Sequence, residues 1–307
     1  MQIPHIPVLY NEVLEVFKSV ENGVIIDCTL GYGGHSSGIL KSNPNVNLIA
    51  CDRDDEAISF SKNRLSEFGD RVQIFKSNFS QILNLIDTNS VRGILADIGV
   101  SSLQIDKNER GFGLQSDELD MRMDKTSEKD AKFVVNSYSK DELTRIFNEY
   151  GELANSHKIA DKIVAYRTNK TITSAKELVS IIGDKSVKGR SVSEATLVFQ
   201  AIRIEVNDEL AELTNLLNSI ENSKINKAKV AIISFHSLED RIVKNRFKKW
   251  EKNCVCPDFF IKCECGGNHA LGRILSKKAI TASKDELMAN SRASSAKMRV
   301  FEIDRKA

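Results

Sequence analysis

Three acidic residues stand at the ends of apolar runs and could together form a binding site for a cation. Asp27 ends the run that includes Ile25 and Ile26, Asp52 ends residues 47–52, and Asp97 ends residues 91–97. Carboxylates attract positive charge at short range, and parallel strands bring their carboxyl ends to one edge of a sheet. The sequence therefore predicts three carboxylates along one edge of a single sheet.

A glycine cluster follows the first acid directly. Gly31, Gly33 and Gly34 lie within seven residues of Asp27, and residues 35–41 can be helical. Glycines allow a sharp turn and a close approach to a ligand, and a helix N-terminus presents free N–H groups. Asp52 comes 19 residues after Gly33, the spacing at which an acid meets ribose hydroxyls. Together these features indicate a nucleotide-type site.

The acid ahead of the glycines indicates which nucleotide fits. Asp27 would repel a pyrophosphate, whereas S-adenosylmethionine carries a positive sulfonium and an ammonium group. No Gly-Lys-Ser/Thr follows the glycines, so a phosphate-binding P-loop is not expected. The residues favour S-adenosylmethionine, and a nicotinamide oxidoreductase remains the second interpretation.

Charge is distributed unevenly along the 307 residues. The net charge is only +2, but residues 241–307 hold 16 lysines and arginines against 7 acids, a net charge of +9. The first 240 residues therefore carry a net charge of −7. A basic end on a nearly neutral protein suggests a polyanionic partner, and a solvated lysine-rich helix is the alternative.

Composition also limits the class of protein. Hydrophobic residues make up 41% of the chain, enough for a sizeable core, and no apolar run approaches the roughly 20 residues that cross a membrane. The first residues lack the basic and apolar regions of a secretory signal. Six cysteines without an export signal suggest reduced thiols, so we expect a cytoplasmic protein.

Alternating strands and helices predict an α/β fold with a parallel sheet. Predicted strands end at Asp27, Asp52 and Asp97 and cover residues 72–76 and 229–236, with helices over residues 54–68, 79–86 and 238–252. Ser237 and Asp240 are expected to cap the last of these helices. Residues 296–303 are predicted to form an antiparallel strand at the sheet edge.

The middle of the chain is predicted to be helical. From residue 139 to about residue 217, Ser139 with Glu142 and Ser174 with Glu177 form possible capping boxes, and Gly183 could end a helix. No strand is expected between Asp97 and residue 229. We therefore predict an α/β core over residues 1–107 and 206–307, interrupted by an all-helical insertion over residues 108–205 that we expect to bind the substrate.

Four cysteines near the C-terminus form the pattern Cys-x-Cys-x6-Cys-x-Cys: Cys254, Cys256, Cys263 and Cys265. Four thiolates can hold zinc tetrahedrally, although this spacing is tighter than the usual Cys-x2-Cys pairs. A zinc site and a reduced, loop-forming cysteine cluster both remain open. No metal is assigned to the catalytic site.

Several peptides together resemble the bacterial family of ribosomal RNA small subunit methyltransferase H. They include His5-Ile-Pro-Val-Leu, the glycine turn Asp27-Cys-Thr-Leu-Gly-Tyr-Gly-Gly-His-Ser, Asp97-Ile-Gly-Val-Ser-Ser-Leu-Gln, Arg110-Gly-Phe and Ile233-Ser-Phe-His-Ser-Leu-Glu-Asp-Arg. The resemblance runs nearly end to end. After Arg110-Gly-Phe the chain reads Gly-Leu-Gln-Ser, which departs from the usual Ser-Phe pattern.

The resemblance implies an S-adenosylmethionine-dependent enzyme that methylates N4 of one cytidine in 16S ribosomal RNA, near the P-site codon. It implies a Rossmann-like methyltransferase sheet with a helical insertion, and a homodimer is compatible with the family. The cofactor contacts it implies fall on one set of residues: Gly33, Gly34, His35, Asp52, Phe79, Asp97 and Gln104.

The chemistry implied is direct attack of an amine on the methyl group, without a covalent enzyme intermediate. Methylation at C5 of cytosine would need a cysteine nucleophile, usually after proline, and the chain has no Pro-Cys pair. We expect Asp97 and the loop through Ser102 to position both donor and amine, with Asp97 as the catalytic residue. Proton loss to water is sufficient to complete such a reaction.

The RNA would be held by positive charge. We expect phosphate contacts from the basic end beginning at Arg241 and from Arg110, Arg122 and Arg203. His236 could lie at the site or serve the helix entry, and His5 could contact ligand or be structural. A non-catalytic RNA-binding factor, or an enzyme acting on another nucleobase or a protein nitrogen, remain alternatives.

Overall fold

The computed structural model describes residues 7–190, 192–257 and 259–305. The chain forms two compact units. The first contains Met1–Gly99 and Ala211–Ala307, and the second contains Val100–Leu210. These units change over at residues 99/100 and 210/211, whereas the sequence placed the boundaries at 107/108 and 205/206.

The first unit contains a seven-stranded sheet. Its strands are β1 (Gly23–Asp27), β2 (Val46–Asp52), β3 (Val72–Lys76), β4 (Val91–Asp97), β5 (Lys227–Ser234), β6 (Gly272–Ile274) and β7 (Lys297–Asp304). Their order is β3-β2-β1-β4-β5-β7-β6, and β1 to β5 are parallel. The predicted α/β sheet of Rossmann-like type is confirmed.

The last strand differs from the prediction in its place. β7 pairs antiparallel with β5, as expected, but it pairs with β6 on its other side. β6 is therefore the edge strand, and the expectation that residues 296–303 lie at the edge was wrong. β6 has only three residues, Gly272–Ile274, too few to give a visible period-two pattern.

Both faces of the sheet are covered, which is why its central strands read as unbroken apolar runs. Ile26, Ile94 and Ile232 lie in one buried cluster, whereas Ile25 and Leu95 lie in another. These neighbouring residues belong to opposite faces because successive side chains of a strand alternate.

The helices in chain order are α1 (Tyr10–Phe17), α2 (Gly34–Ser42), α3 (Asp55–Arg64), α4 (Ser102–Asp106), α5 (Ala131–Ser137), α6 (Lys140–Glu149), α7 (Ser156–Arg167), α8 (Ala175–Ile182), α9 (Glu194–Asn207), α10 (Glu209–Asn222), α11 (Ser237–Glu251) and α12 (Lys284–Ala289). Short 3-10 helices cover Ser66–Arg71, Phe79–Asn84, Asn108–Arg110 and Ser291–Ser295. The helix predicted over residues 79–86 is one of these shorter 3-10 helices.

The second unit has its own core, formed by side chains such as Phe147, Ile163, Leu178 and Ile202. Ser139 and Glu142 form the predicted capping box of α6. Ser174 caps α8, and Gly183 ends it. Within the described residues of this unit, pairing of strand type is limited to one isolated bridge between Ser186 and Ser193.

In the described part of the chain, none of the helices combines the length and the apolar character that crossing a bilayer requires.

Candidate functional site

The strand order of the first unit reverses between β1 and β4. In open α/β sheets a ligand binds at such a switch point, outside the carboxyl ends of the strands. Asp27 ends β1, Asp97 ends β4, and Asp52 ends the neighbouring β2. The structure thus brings the three predicted carboxylates to one edge of one sheet.

Asp27 accepts hydrogen bonds from residues on both sides of the three glycines. Its Oδ2 accepts a 2.6 Å hydrogen bond from the Ser36 hydroxyl, and its Oδ1 accepts one of 3.1 Å from the Thr29 N–H. Burial raises the pKa of the Asp27 carboxyl to about 6, while these two hydrogen bonds act in the opposite direction. Asp27 therefore fixes the start of α2 to the end of β1.

Asp52 ties β2 to the same turn. Its Oδ2 accepts from the Gly31 N–H at 2.8 Å, and its Oδ1 accepts from the Asp54 N–H at 2.9 Å. Burial raises the pKa of the Asp52 carboxyl above its usual value. A carboxylate has about four acceptor positions, so Asp52 can still accept hydrogen bonds from a ligand.

The glycine turn needs its glycines for two different reasons. Gly31 and Gly33 adopt left-handed φ angles of 50° and 69°. At Gly34 the requirement is space, because an added Cβ would lie 2.3 Å from Cγ of Pro7. Gly33 precedes α2 without a side-chain cap, so this helix begins with backbone N–H groups suited to an anionic group.

Asp97 is the most unusual acid of the edge. Its Oδ1 is buried and accepts no hydrogen bond from the described residues, and its backbone N–H donates to the Thr29 hydroxyl at 2.7 Å. Burial raises the pKa of the Asp97 carboxyl to about 8, and the charges of Asp27 and Glu239 add to this. Because the Oδ1 atom of Asp97 has no donor among the described residues, it can accept from an N–H group or contact a cation.

His35 lies beside Asp97. Its Nδ1 is 3.8 Å from Oδ2 of Asp97, and its Nε2 is 3.0 Å from the carbonyl oxygen of Val8. Burial lowers the pKa of the His35 imidazole to about 4. A neutral His35 can donate to Val8 only through Nε2, which leaves Nδ1 as an acceptor facing Asp97.

Glu239 is a member of this edge that the sequence did not single out. It is buried, and its Oε2 accepts from the Phe235 N–H at 2.9 Å. His236 caps α11, and Glu239 completes the capping box, so the prediction that Ser237 and Asp240 cap this helix was wrong. Asp240 instead pairs with Arg299 at 2.6 Å. The structure supports the helix-entry role for His236.

The remaining predicted cofactor residues lie at separate places. Phe79 begins the 3-10 helix after β3, next to Asn78, whose Oδ1 is also buried and accepts no hydrogen bond from described residues. Sequence patterns gave no signal for Asn78. Gln104 belongs to the second unit, where it is buried and its Oε1 accepts from the Ser101 N–H at 2.9 Å. His5 lies outside the described residues.

The three arginines expected to contact phosphate are engaged within the protein. Arg110 is 3% exposed and donates to the carbonyl groups of Arg122 and Met123. Arg122 forms a two-point contact with Asp120, and Arg203 forms one with Glu209 at 2.8 and 2.9 Å. The prediction of phosphate contacts at these three positions therefore lacks structural support.

Positive side chains facing solvent occur on α11 instead. Lys244 and Lys248 are exposed, whereas Arg246 and Lys249 pair with Glu221, both at 2.8 Å. Only part of the basic segment is therefore engaged in these ion pairs, and the exposed lysines can attract a polyanion.

Comparison with known proteins gives a consistent result along the whole chain. The sequence profile of the MraW methylase family matches residues 2–304. Ribosomal RNA small subunit methyltransferase H of Campylobacter hominis is 64% identical over 311 residues, which cover 99% of this chain and 100% of that protein. The protein of the same name from Campylobacter curvus is 62% identical over 306 residues, 99% of each chain.

Proposed function

The chain belongs to the MraW methylase family, and we propose that it transfers a methyl group from S-adenosylmethionine to N4 of a cytidine in small-subunit ribosomal RNA. The name of its relatives supplies the class of RNA, and the family resemblance suggests the N4 atom and the P-site region. The observation that carries the proposal is the carboxylate edge, above all the buried Oδ1 of Asp97 that accepts no hydrogen bond from described residues.

The residues of this edge suit the proposed cofactor. When bound, S-adenosylmethionine supplies a methyl group on a positively charged sulfonium. Asp52 has acceptor capacity for ribose hydroxyls, and Asp97 has it for an ammonium or amine. The start of α2 at Gly34 offers N–H groups to a carboxylate. Phe79 and Asn78 provide an aromatic ring and a buried acceptor at the end of β3.

Asp97 is our candidate for the catalytic residue. The N4 amine of cytosine is a poor nucleophile because its lone pair is conjugated with the ring. A carboxylate that accepts from the amine N–H can align this lone pair and stabilise the positive charge that develops on nitrogen. Correct placement of two reactants supplies about 7–11 kcal/mol in favourable cases, so positioning can account for much of the rate.

Cys28, which follows β1, and Cys51 in β2 do not suit covalent catalysis. Cys28 and Cys51 are buried, and burial raises the pKa of both thiols. Because the thiolate is the nucleophile, such cysteines are inert. Neither Cys28 nor Cys51 is therefore suited to attack the cytosine ring, as methylation at C5 would require.

We assign RNA binding to the exposed lysines of α11 and to the helical unit, whose boundaries we take from the structure. Gln104 in that unit remains a proposed cofactor contact. We place the enzyme in the cytoplasm, where ribosomal subunits are found, and propose a homodimer as its assembly.

The test is methyl transfer to small ribosomal subunits from cells that lack this protein. We expect radiolabel from S-adenosylmethionine in one cytidine, identified by mass mapping, and no label with subunits from normal cells. Label at C5 would reject the N4 assignment. A purified chain that binds NADH but not S-adenosylmethionine would reject the methyltransferase in favour of the oxidoreductase.

A further inference from the structure

The segment between α11 and β6 brings four thiols into one cluster. The sulfur atoms of the four cysteines all lie within 4.8 Å of one another, and all four thiols are free: Cys254, Cys256, Cys263 and Cys265. Cys263 is 3.5 Å from Cys254 and from Cys265, and Cys254 is 3.7 Å from Cys265. These contacts far exceed the roughly 2.05 Å of a disulfide bond.

The separations fit a single metal ion. Zinc binds thiolate sulfur at about 2.3 Å, so the sulfurs of a tetrahedral zinc site lie about 3.8 Å apart. The separations among Cys254, Cys263 and Cys265, which are 3.5, 3.5 and 3.7 Å, approach this value, and the sulfur of Cys256 lies within 4.8 Å of all three. The fold therefore already brings four thiols to separations that one tetrahedral ion can bridge.

Backbone N–H groups point at the sulfurs from both halves of the segment. Val255 directs its N–H to the sulfur of Cys265 at 3.5 Å, and Glu264 and Cys265 direct theirs to the sulfur of Cys256 at 3.3 Å. Cys265 thus receives a hydrogen bond from the segment that holds Cys254 and Cys256, and Cys256 receives two from the segment that holds Cys263 and Cys265. Such donors reduce the excess negative charge of metal-bound thiolates and orient them.

The segment has no hydrophobic core of its own. None of its described residues from 252 to 270 is buried, and the side chains of Phe259 and Ile261 are 80% and 100% exposed. Burial of apolar surface therefore cannot hold this shape. Short segments without a core are commonly held by metal ions or disulfides, and the separated thiols favour a metal.

The base of the segment is nevertheless fixed to the core. The Leu271 N–H donates to the carbonyl of Trp250 at 2.7 Å, and the His269 N–H donates to that of Asn253 at 3.1 Å. Trp250 packs against Phe247 and Phe301 in the first unit. The cysteine cluster therefore lies in a loop after α11 whose two ends are hydrogen-bonded to each other.

We propose that Cys254, Cys256, Cys263 and Cys265 bind one Zn²⁺ as a structural site that fixes the segment between α11 and β6. All four coordination positions are occupied by protein thiolates, so no position is left for a reacting water or substrate. Each thiol gives up its proton as its sulfur joins the metal. This site is independent of the methyl-transfer proposal and would stand if that proposal failed.

Metal content of the full-length protein tests the proposal. The protein is produced in zinc-supplemented medium, purified with reductant and without chelator, and analysed by mass spectrometry for metals. We expect about one zinc per chain, and loss of that zinc in the double variant Cys256→Ser/Cys265→Ser. Lys262→Ser, an exposed change within the same segment, is the matched control and should keep its zinc.

Cobalt titration of the unaltered protein provides a test that does not depend on the variants folding. The reduced, metal-free protein should develop the intense thiolate-to-cobalt charge-transfer bands and the visible bands of a tetrahedral site, and zinc should abolish both. A chain without these bands, a chain that contains iron in place of zinc, or cysteines found as disulfides in the native protein would overturn the proposal.

Discussion

The Nδ1 atom of His35 faces the Oδ2 atom of Asp97 at a distance of 3.8 Å, and both groups are acceptors when the imidazole is neutral and the carboxyl is ionised. The Nε2 of His35 donates to the carbonyl of Val8, so the neutral ring would lose that bond if its proton moved to Nδ1. The arrangement favours a proton on Asp97 while no ligand is bound. A cation would replace that proton, so binding and ionisation are linked at this residue.

Replacing Asp97 by asparagine should separate stability from function. We expect Asp97→Asn to lower methyl transfer by at least about 100-fold, since it removes the negative acceptor. The same change should raise the free energy of unfolding of the ligand-free protein near pH 8, by on the order of 1–3 kcal/mol, because a neutral amide avoids ionisation in a buried place. Enzyme assays and chemical denaturation measure the two effects.

Asp304→Asn is the matched control for that experiment. Asp304 also ends a strand of the sheet, but it is exposed. We expect little change in either measurement. Near-normal methyl transfer by Asp97→Asn would reject the catalytic assignment of Asp97.

Cofactor affinity should rise with pH. The pKa of Asp97 is about 8 in the ligand-free protein against 3.8 in the unfolded chain, and a bound cation favours the ionised form. The association constant for S-adenosylmethionine should therefore increase by up to about tenfold per unit below pH 8 and level off above it. Isothermal titration calorimetry across this range measures the slope. A flat profile would contradict the linkage.

Stability of the ligand-free protein should change in the opposite direction. Asp97 and Asp27 hold protons in the folded state at pH values where the unfolded chain has lost them, so the folded state binds more protons between about pH 4 and 8. Their contribution to the free energy of unfolding therefore falls as pH rises through this window. Denaturation of Asp97→Asn, compared with the unaltered protein at each pH, isolates the part due to Asp97.

The hydrogen bond between Ser36 and Asp27 should stabilise the glycine turn. Ser36→Ala removes a 2.6 Å bond to a buried carboxylate and should cost about 1–3 kcal/mol. It should also raise the pKa of Asp27 further, because the hydroxyl favours the ionised form. Ser37→Ala, at the next position of α2, is the control and should cost less. Equal losses would show that the carboxylate bond is unimportant.

The exposed lysines of α11 should carry part of the RNA affinity. In Lys244→Ala/Lys248→Ala the slope of log affinity against log salt should become shallower by about 1–2, because up to two phosphate contacts are lost. Arg246→Ala removes a charge from the same helix, but one that is paired with Glu221, and should leave this slope nearly unchanged. Filter binding to small-subunit RNA over a salt series measures both.

The ion pair of Arg203 and Glu209 should matter for stability rather than for RNA. Arg203→Met leaves the 3% exposed carboxylate of Glu209 without its two-point partner, which should cost about 3–5 kcal/mol. The salt slope of RNA binding should not change in the folded variant. A shallower slope at unaltered stability would restore Arg203 as a phosphate contact.

The acids of the binding edge could be predicted from sequence because each stands at the end of an apolar run. Asp27, Asp52 and Asp97 needed only the rule that parallel strands end together. Glu239 could not be found in this way, since its approach to Asp97 depends on where α11 starts relative to β4. The intramolecular partners of Arg110, Arg122 and Arg203 could not be predicted for a similar reason. Whether Arg203 is exposed or paired depends on tertiary packing, which residue type does not reveal.

The position of β7 has a consequence for how the protein is made. β7, the last strand in chain order, lies between β5 and β6. The sheet of the first unit is built from chain segments that precede and follow a helical unit of more than a hundred residues. During translation, β5 must wait with one side unpaired until Lys297–Asp304 has left the ribosome. An unpaired strand edge can pair with another chain, so β5 is open to aggregation until Lys297–Asp304 is in place.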